Sequence, residues 1–343
     1  MLEYIASIMD ASGNVPNFGD ADDAIIARLD PDPKLDVYRS LLATGAVLFD
    51  SAEFKFKSLM VGGVIDDKTR WLLGDGAAAK YDGIDMTRIS LPIRRDFLRA
   101  GYFILGDRFE TRREVRIVAD AGPLGYLSIA AHGHADALSF TLSAGGRELL
   151  IDPGTYAYHT QRVWRDYFKG TSAHNTVRID RVDQSISGGN FLWIKHAQAQ
   201  VIALERTPLM ERWVASHDGY TRLKHPVTHR REILFEKEHS RVQVTDELLG
   251  SGAHEVEIFW HFAEQCVVEM EGGGVRAAHG DVALSMSVPE GLRCDIRRGL
   301  EKPEPAGWIS RSFDAKEPTT TVVMSGRIAG AARFITRLSV EFK

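Results

Sequence analysis

The chain of 343 residues has only two cysteines, Cys266 and Cys294, so no disulfide framework can organise it, and their spacing suits no zinc motif. A single bridge between them stays open. No apolar run is long enough to cross a membrane as a helix, and Met1 does not open a charged-then-apolar leader. Excess positive charge is missing too. The formal net charge of -5 argues against a general nucleic-acid binder, yet it allows an acidic ligand held in a local basic cleft. Internal repeats and low-complexity tracts are absent. What is left, 44% hydrophobic and 26% charged residues, is the composition of an ordinary globular protein with two domains or one large one and an appendage.

The pattern along the chain divides in two. Leu2, Ile5, Ile8 and Met9 have helical spacing, and residues 13–20 read as a loop rich in Gly, Asn and Pro. An amphipathic helix is expected from Asp36 to Phe49, and a shorter one from Asp66 to Leu73, ended by Gly74 and Gly76. These helices are too few and short for a stable domain, so they are expected to be the tail of a larger helical unit cut short at its N-terminus. From Ile89 the chain turns to short β-rich runs, among them Tyr102–Leu105, Glu114–Val118, Ser139–Ser143, Val227–Phe235 and Phe334–Glu341, and Gly145-Gly146 marks a hairpin. With no helical pattern between them, such runs predict a mainly β fold: a large antiparallel sandwich of two stacked sheets over 89–343, preceded by a helical segment over 1–88.

Chemistry concentrates between Ala130 and Trp193. His132, His134 and Asp136 alternate, and a strand there would put both histidines on one face. Asp152 stands at a strand end before Pro153-Gly154, and His174 just before Thr176–Ile179. Two histidines and a carboxylate from this set could hold zinc; the alternative is hydrogen-bonded histidines that merely fix loops. Tyr156, Tyr158, Trp164, Tyr167 and Phe168 surround Arg162, Arg165 and Lys169. Aromatic faces stack on sugar rings and arginines pair with carboxylates, so Arg162, Arg165 and Trp164 are candidate substrate contacts, although Trp164 and Phe168 also read as core. Tyr156 and Tyr158 directly follow Asp152, which favours a role at the site. His159 could reach a cleft, His196, His229 and His261 read as structural, and Glu255 and Glu257 as a solvated strand face.

Three motifs, His132-Gly133-His134-Ala135-Asp136, Asp152-Pro153-Gly154-Thr155-Tyr156 and Ala173-His174-Asn175-Thr176, resemble the heparinase II/III-like polysaccharide lyases, which include the oligo-alginate lyases. The resemblance implies an incomplete α/α toroid before an antiparallel sandwich, with residues 1–88 as the toroid's end. It implies β-elimination of a uronate-containing acidic polysaccharide, by tyrosine and histidine proton transfer. It puts His132 in the active site with Tyr158, or second Tyr156, and gives His134, Asp152 and His174 a structural zinc. The toroid groups that neutralise the uronate carboxylate have no counterpart here. This chain alone is therefore expected to bind glycans weakly, to release no unsaturated product, and to self-associate as a homo-oligomer through an apolar rim at Leu41, Leu42, Leu48 and Phe49. Family members are often periplasmic. Two other readings use the same groove: a non-catalytic glycan-binding sandwich, and a metal-dependent hydrolase with metal-activated water. Only elimination creates an unsaturated uronate that absorbs in the ultraviolet.

Overall fold

A computed structural model describes residues 1–21, 23–59, 65–87 and 89–343; Arg88, where the sequence pattern changes, lies outside them. Among the described residues five helices come first: α1 (Leu2–Ile8), α2 (Val37–Phe49), α3 (Ala52–Leu59), α4 (Asp67–Leu73) and α5 (Ala77–Gly83). Asp36 starts α2 because its carboxylate accepts the Tyr38 and Arg39 amides, both at 3.0 Å, which would otherwise lack partners. Asp66 does the same for α4 through the Thr69 amide, at 2.7 Å. The spacing reveals α1, α2 and α4 but hides α3. There Phe54 and Phe56 alternate with Lys55 and Lys57 as in a strand, yet both lysines are buried. The helices share a core of Ile5, Met9, Leu42, Ala46, Phe54 and Tyr81. Leu42 therefore points inward and is no part of an apolar rim, Leu41 is half-buried, and Leu48 and Phe49 are exposed.

The remainder is mainly β. An eight-stranded antiparallel sheet runs in the order Val267–Glu271, Gly274–His279, Val282–Met286, Ala332–Phe342, Arg241–Gly250, Val227–Glu236, Met210–His217, Ala199–Arg206. Facing it are a five-stranded sheet (Asp96–Phe97, Tyr102–Asp107, Val115–Asp120, Phe140–Ala144, Arg147–Leu150) and a four-stranded one (Arg293–Arg298, Thr320–Ala329, Ala253–His261, Val177–Ile179). These two join edge to edge, because the Ile151 amide donates to the His261 carbonyl at 2.9 Å and the Ala263 amide to the Leu149 carbonyl at 3.1 Å. One core fills the space between the layers: Trp213, Ile233, Phe235 and Val244 meet Ile117, Phe140, Ile258 and Trp260. Period-two alternation produces this, as in Val227–Glu236, where every second side chain is buried. Gly145 and Gly146 make the expected hairpin with φ of 56° and 74°, a turn that L side chains resist. A sixth helix, α6 (Arg162–Lys169), interrupts the β run where none was expected.

Two polar networks position the site. At one end of the core, Asp246 accepts from Arg231 Nε and His229 Nε2, each at 2.7 Å. His217 Nε2 lies 3.2 Å from His229 Nδ1, and Arg231 also donates to the Leu138 and Asn175 carbonyls, tying two site loops to the eight-stranded sheet. A second network locks the helices to the strand Val115–Asp120. Lys57, wholly buried, donates to the Met9 carbonyl at 2.7 Å and to Glu110 at 2.6 Å. Arg116 binds Glu110, Glu114 and the Ser7 carbonyl. The loop after α1 is thereby held over the sandwich. Glu257, expected on a solvated face, is instead buried against Arg178 at 2.7 Å, because its strand lies between two others.

Burial pushes the His217 imidazole well below the ordinary histidine range, and the charges of His229 and Arg231 add to it. The unfolded chain protonates this ring near pH 6.5, whereas the folded one keeps it neutral. Its contribution to stability is therefore complete above about pH 6.5 and falls away as the pH drops below that value. His217→Gln keeps a donor and an acceptor but cannot take up a proton. Between about pH 7 and pH 5 this variant is expected to lose less urea resistance than the wild type. Identical losses would contradict a buried neutral His217.

Candidate functional site

Three segments converge where the five- and four-stranded sheets meet: the loop after Val115–Asp120, the chain just beyond Arg147–Leu150, and the residues between a 3-10 turn (Thr171–Ala173) and Val177–Ile179. They bring His134, Asp152 and His174 together, all buried, with one ligand atom of each within 4.8 Å of the others. Asn175 makes this convergence rigid. Its amide donates to the Phe140 and Ile151 carbonyls, at 2.8 and 2.9 Å, and its oxygen accepts the His261 amide at 2.7 Å. The strand ends at Phe140, Ile151 and His261 are thus pinned by the residue next to His174.

Within the cluster, His174 Nδ1 lies 2.8 Å from Asp152 Oδ2, while Asp152 Oδ1 accepts the Gly154 amide at 2.9 Å. Burial would raise the Asp152 carboxyl, but the charge and hydrogen bond of His174 outweigh it and hold it below the usual range. The converse holds for His174, raised by Asp152 against its own burial. Two ring nitrogens, His134 Nδ1 and His174 Nε2, are buried without a hydrogen-bond partner among the described residues. Orphaned imidazole nitrogens beside a carboxylate are what a divalent metal would satisfy, so the residues present fit one.

His132 behaves differently. The expected strand does not form: residues 132–134 lie in a loop and His132 has a φ of 62°, which breaks the alternation that would put both histidines on one face. His134 turns inward, whereas the His132 side chain is 57% exposed. Asp20, from the loop after α1, stands between them. One of its oxygens is 3.0 Å from His134 Nε2 and the other 3.3 Å from His132 Nδ1. The approach needs Gly19, whose φ is 56° and where a Cβ would sit 2.6 Å from the His132 carbonyl. That carbonyl accepts the Asp20 amide at 3.0 Å. Burial alone would raise Asp20, but His134 and Arg165 together hold it well below the usual carboxylate range.

The remaining expected residues separate by burial. Tyr158 is half-buried at the surface, packed against Phe191 and Phe313 with centroids at 4.9 and 4.8 Å, and 6.4 Å from the His132 ring. Tyr156 is buried, its hydroxyl accepting from Gln161 at 2.9 Å, and it packs with Trp164 and Phe168. Trp164 is core, sandwiched by Trp308 and Lys316. Arg165 is buried as well. Its guanidinium grips both Asp20 oxygens and the Asn190 carbonyl and lies over the Tyr158 ring, which leaves it closed to a substrate. Arg162 is open, with Asp166 at 3.4 Å. His159 is also exposed, 2.8 Å from the Asn190 amide. Beside the histidines lies a cavity of 290 Å³ whose wall includes Phe18, Tyr102, Asp120, His134, Asp136 and Gln184. Burial raises the Asp120 and Asp136 carboxyls, and at Asp120 the Asp136 charge adds to it. Sequence reasoning missed Asp20, Phe191 and the role of Asn175. Only Asn175, inside a quoted motif, carried any signal.

No curated protein sequence matches the chain. Among solved structures it is similar to a heparan sulfate lyase from Pedobacter heparinus, with a TM-score of 0.69 and 16% identity over 98% of this chain and 45% of that one. A structure of heparinase III gives a TM-score of 0.69 and 18% identity over 98% of this chain and 47% of that one. The chain thus spans less than half the length of the structures it matches. At these identities the likeness shows the fold, an antiparallel sandwich behind a few helices. A family described as heparinase II/III-like, C-terminal, matches residues 90–337, more than half of the sequence, and the chain belongs to that family.

Proposed function

We propose that this chain is the C-terminal part of a polysaccharide lyase that cleaves a uronate-containing acidic glycan by β-elimination, with residues 1–88 as the end of a helical toroid and 89–343 as the sandwich. The observation that carries the reading is the opposite orientation of two neighbouring histidines. His134 joins a closed cluster, while His132 faces solvent beside Tyr158. A hydrolase built on these ligands would need an open metal position for water, but His134, Asp152 and His174 are 1%, 4% and 0% exposed. Such burial favours a structural metal, zinc by its histidine and carboxylate donors, that would cross-link the three segments.

Elimination removes the proton at C5 of the uronate and breaks the bond to O4, leaving a C4–C5 double bond and a protonated leaving group. His132 and Tyr158 are placed to take and give those protons, and Arg162, exposed and paired only at the surface with Asp166, is the cation to meet the carboxylate. Tyr156, Trp164 and Arg165 support the walls. The heparan sulfate lyase among the structural neighbours favours an acidic glycan as partner.

Elemental analysis of desalted protein is expected to give about one zinc per chain, with loss of metal and a lower melting temperature in His134→Ala. Metal-free protein that zinc does not stabilise would contradict this. For activity, the full reading frame encoding this chain is to be screened on heparan sulfate, alginate and hyaluronan by ultraviolet absorbance. The expected result is unsaturated product with at least one of them, reduced by about 10²-fold or more in His132→Ala with zinc content unchanged. New reducing ends without absorbance would establish hydrolysis instead, and zinc lost together with activity would reverse the two histidine roles.

A further inference from the structure

The Asp20 carboxylate has more partners than a loop anchor needs. It is wholly buried, and both its oxygens are gripped by the Arg165 guanidinium, Nη2 at 2.8 Å. The Thr155 hydroxyl is 3.2 Å from Oδ1. Oδ1 also lies 3.0 Å from His134 Nε2, and Oδ2 lies 3.3 Å from His132 Nδ1. A carboxylate held ionised by a guanidinium can only accept hydrogen bonds. A ring nitrogen that turned its lone pair to this carboxylate would be repelled, so each favours the N–H form: His134 Nε2 in a hydrogen bond, His132 Nδ1 in an ion-pair contact without hydrogen-bond geometry. For His134 this leaves Nδ1 without a proton, the same nitrogen that is buried with no partner on the side of Asp152 and His174. For His132 it leaves Nε2 without a proton, on a side chain that is 57% exposed.

We infer that Asp20 is a positioning residue that sets the tautomers of both histidines at once. It fixes His134 as the Nε2–H form, with the Nδ1 lone pair directed to the buried cluster. It fixes His132 as the Nδ1–H form, with the Nε2 lone pair presented to solvent. A histidine donating its second N–H to a carboxylate is how metal ligands are oriented, and the same arrangement orients a catalytic base. Here one carboxylate does both. It comes from the loop after α1, outside the sandwich, and reaches the site because Gly19 lets the backbone pass against His132. The helical segment thereby completes a site whose histidines, Tyr158 and Arg165 lie beyond position 130. Arg165 has its part too: it keeps Asp20 ionised and, through its stacking on Tyr158 and Phe191, couples that charge to the exposed aromatic wall.

Only the consequence for turnover rests on the lyase reading; the tautomers do not. The test is a long-range proton–nitrogen correlation spectrum of the ¹⁵N-labelled chain, with and without zinc, in which the His132 and His134 signals are identified by their loss in His132→Gln and His134→Gln. The expected spectrum shows His132 protonated at Nδ1 and bare at Nε2, and His134 protonated at Nε2 and bare at Nδ1. In Asp20→Asn, His132 is expected to lose its fixed form and zinc to bind about 10- to 100-fold more weakly. A wild-type His132 protonated mainly at Nε2 would overturn the inference, whether or not Asp20→Asn folds. An Asp20→Asn spectrum identical to wild type would overturn it equally. In the full reading frame, Asp20→Asn is expected to lower kcat with little change in KM. An inactive wild type with the expected tautomers would remove the lyase reading and leave the inference standing.

Discussion

The buried ion pair between Asp20 and Arg165 is the contact on which the site's arrangement depends. Both charges are out of water, so each must be met completely, and removing one partner of such a pair costs about 3–5 kcal/mol. Completing the pair forces three distant pieces of chain together: the loop after α1, the loop that carries His132 and His134, and α6. Arg165 cannot leave to meet a substrate without exposing Asp20 to an unpaired burial. Of the two arginines read in the sequence as glycan contacts, Arg165 is therefore taken up by Asp20, and Arg162, one turn earlier, stays open.

The sandwich supplies the frame against which that pair closes. Asn175 pins the strand ends around Asp152 and His174, and Arg231 holds the Leu138 and Asn175 carbonyls from the opposite sheet. These contacts use every hydrogen-bonding group of the Asn175 side chain, a saturated buried hub of the kind that specifies one geometry. Lys57 and Arg116 then fix α1 and α3 on the five-stranded sheet, so that the loop bearing Asp20 starts from a defined place. The likeness to much longer structures of heparinase type concerns this frame, and the frame is what the helices and sheets of the chain share with them.

How much of this was legible follows from the range of the interactions. Alternation over the strands of the eight-stranded sheet is local, so Val227–Glu236 and Ala332–Phe342 could be read directly. Some strands went unseen for their composition: Gly274–His279 is small and mixed, and Arg293–Arg298 is mostly charged. The candidate ligand residues were legible as a concentration of histidines and carboxylates. Their division into an inward His134 and an outward His132 was not, because alternation would have placed both on one face and the left-handed backbone at His132 leaves no mark in composition. The resemblance to a family supplied that division. Asp20 lay beyond both routes. It is one aspartate in a loop read as loop, and its meaning comes from contacts with residues more than a hundred positions away.

The central claim is that metal binding and chemistry are separated here, a closed cluster inside and a histidine with a tyrosine outside. Anomalous diffraction from zinc-loaded crystals soaked with an acidic oligosaccharide addresses it directly. The account predicts metal enclosed by His134, Asp152 and His174, with sugar density outside, against His132 and Tyr158, and no sugar atom on the metal. A sugar oxygen coordinated to the zinc would contradict it.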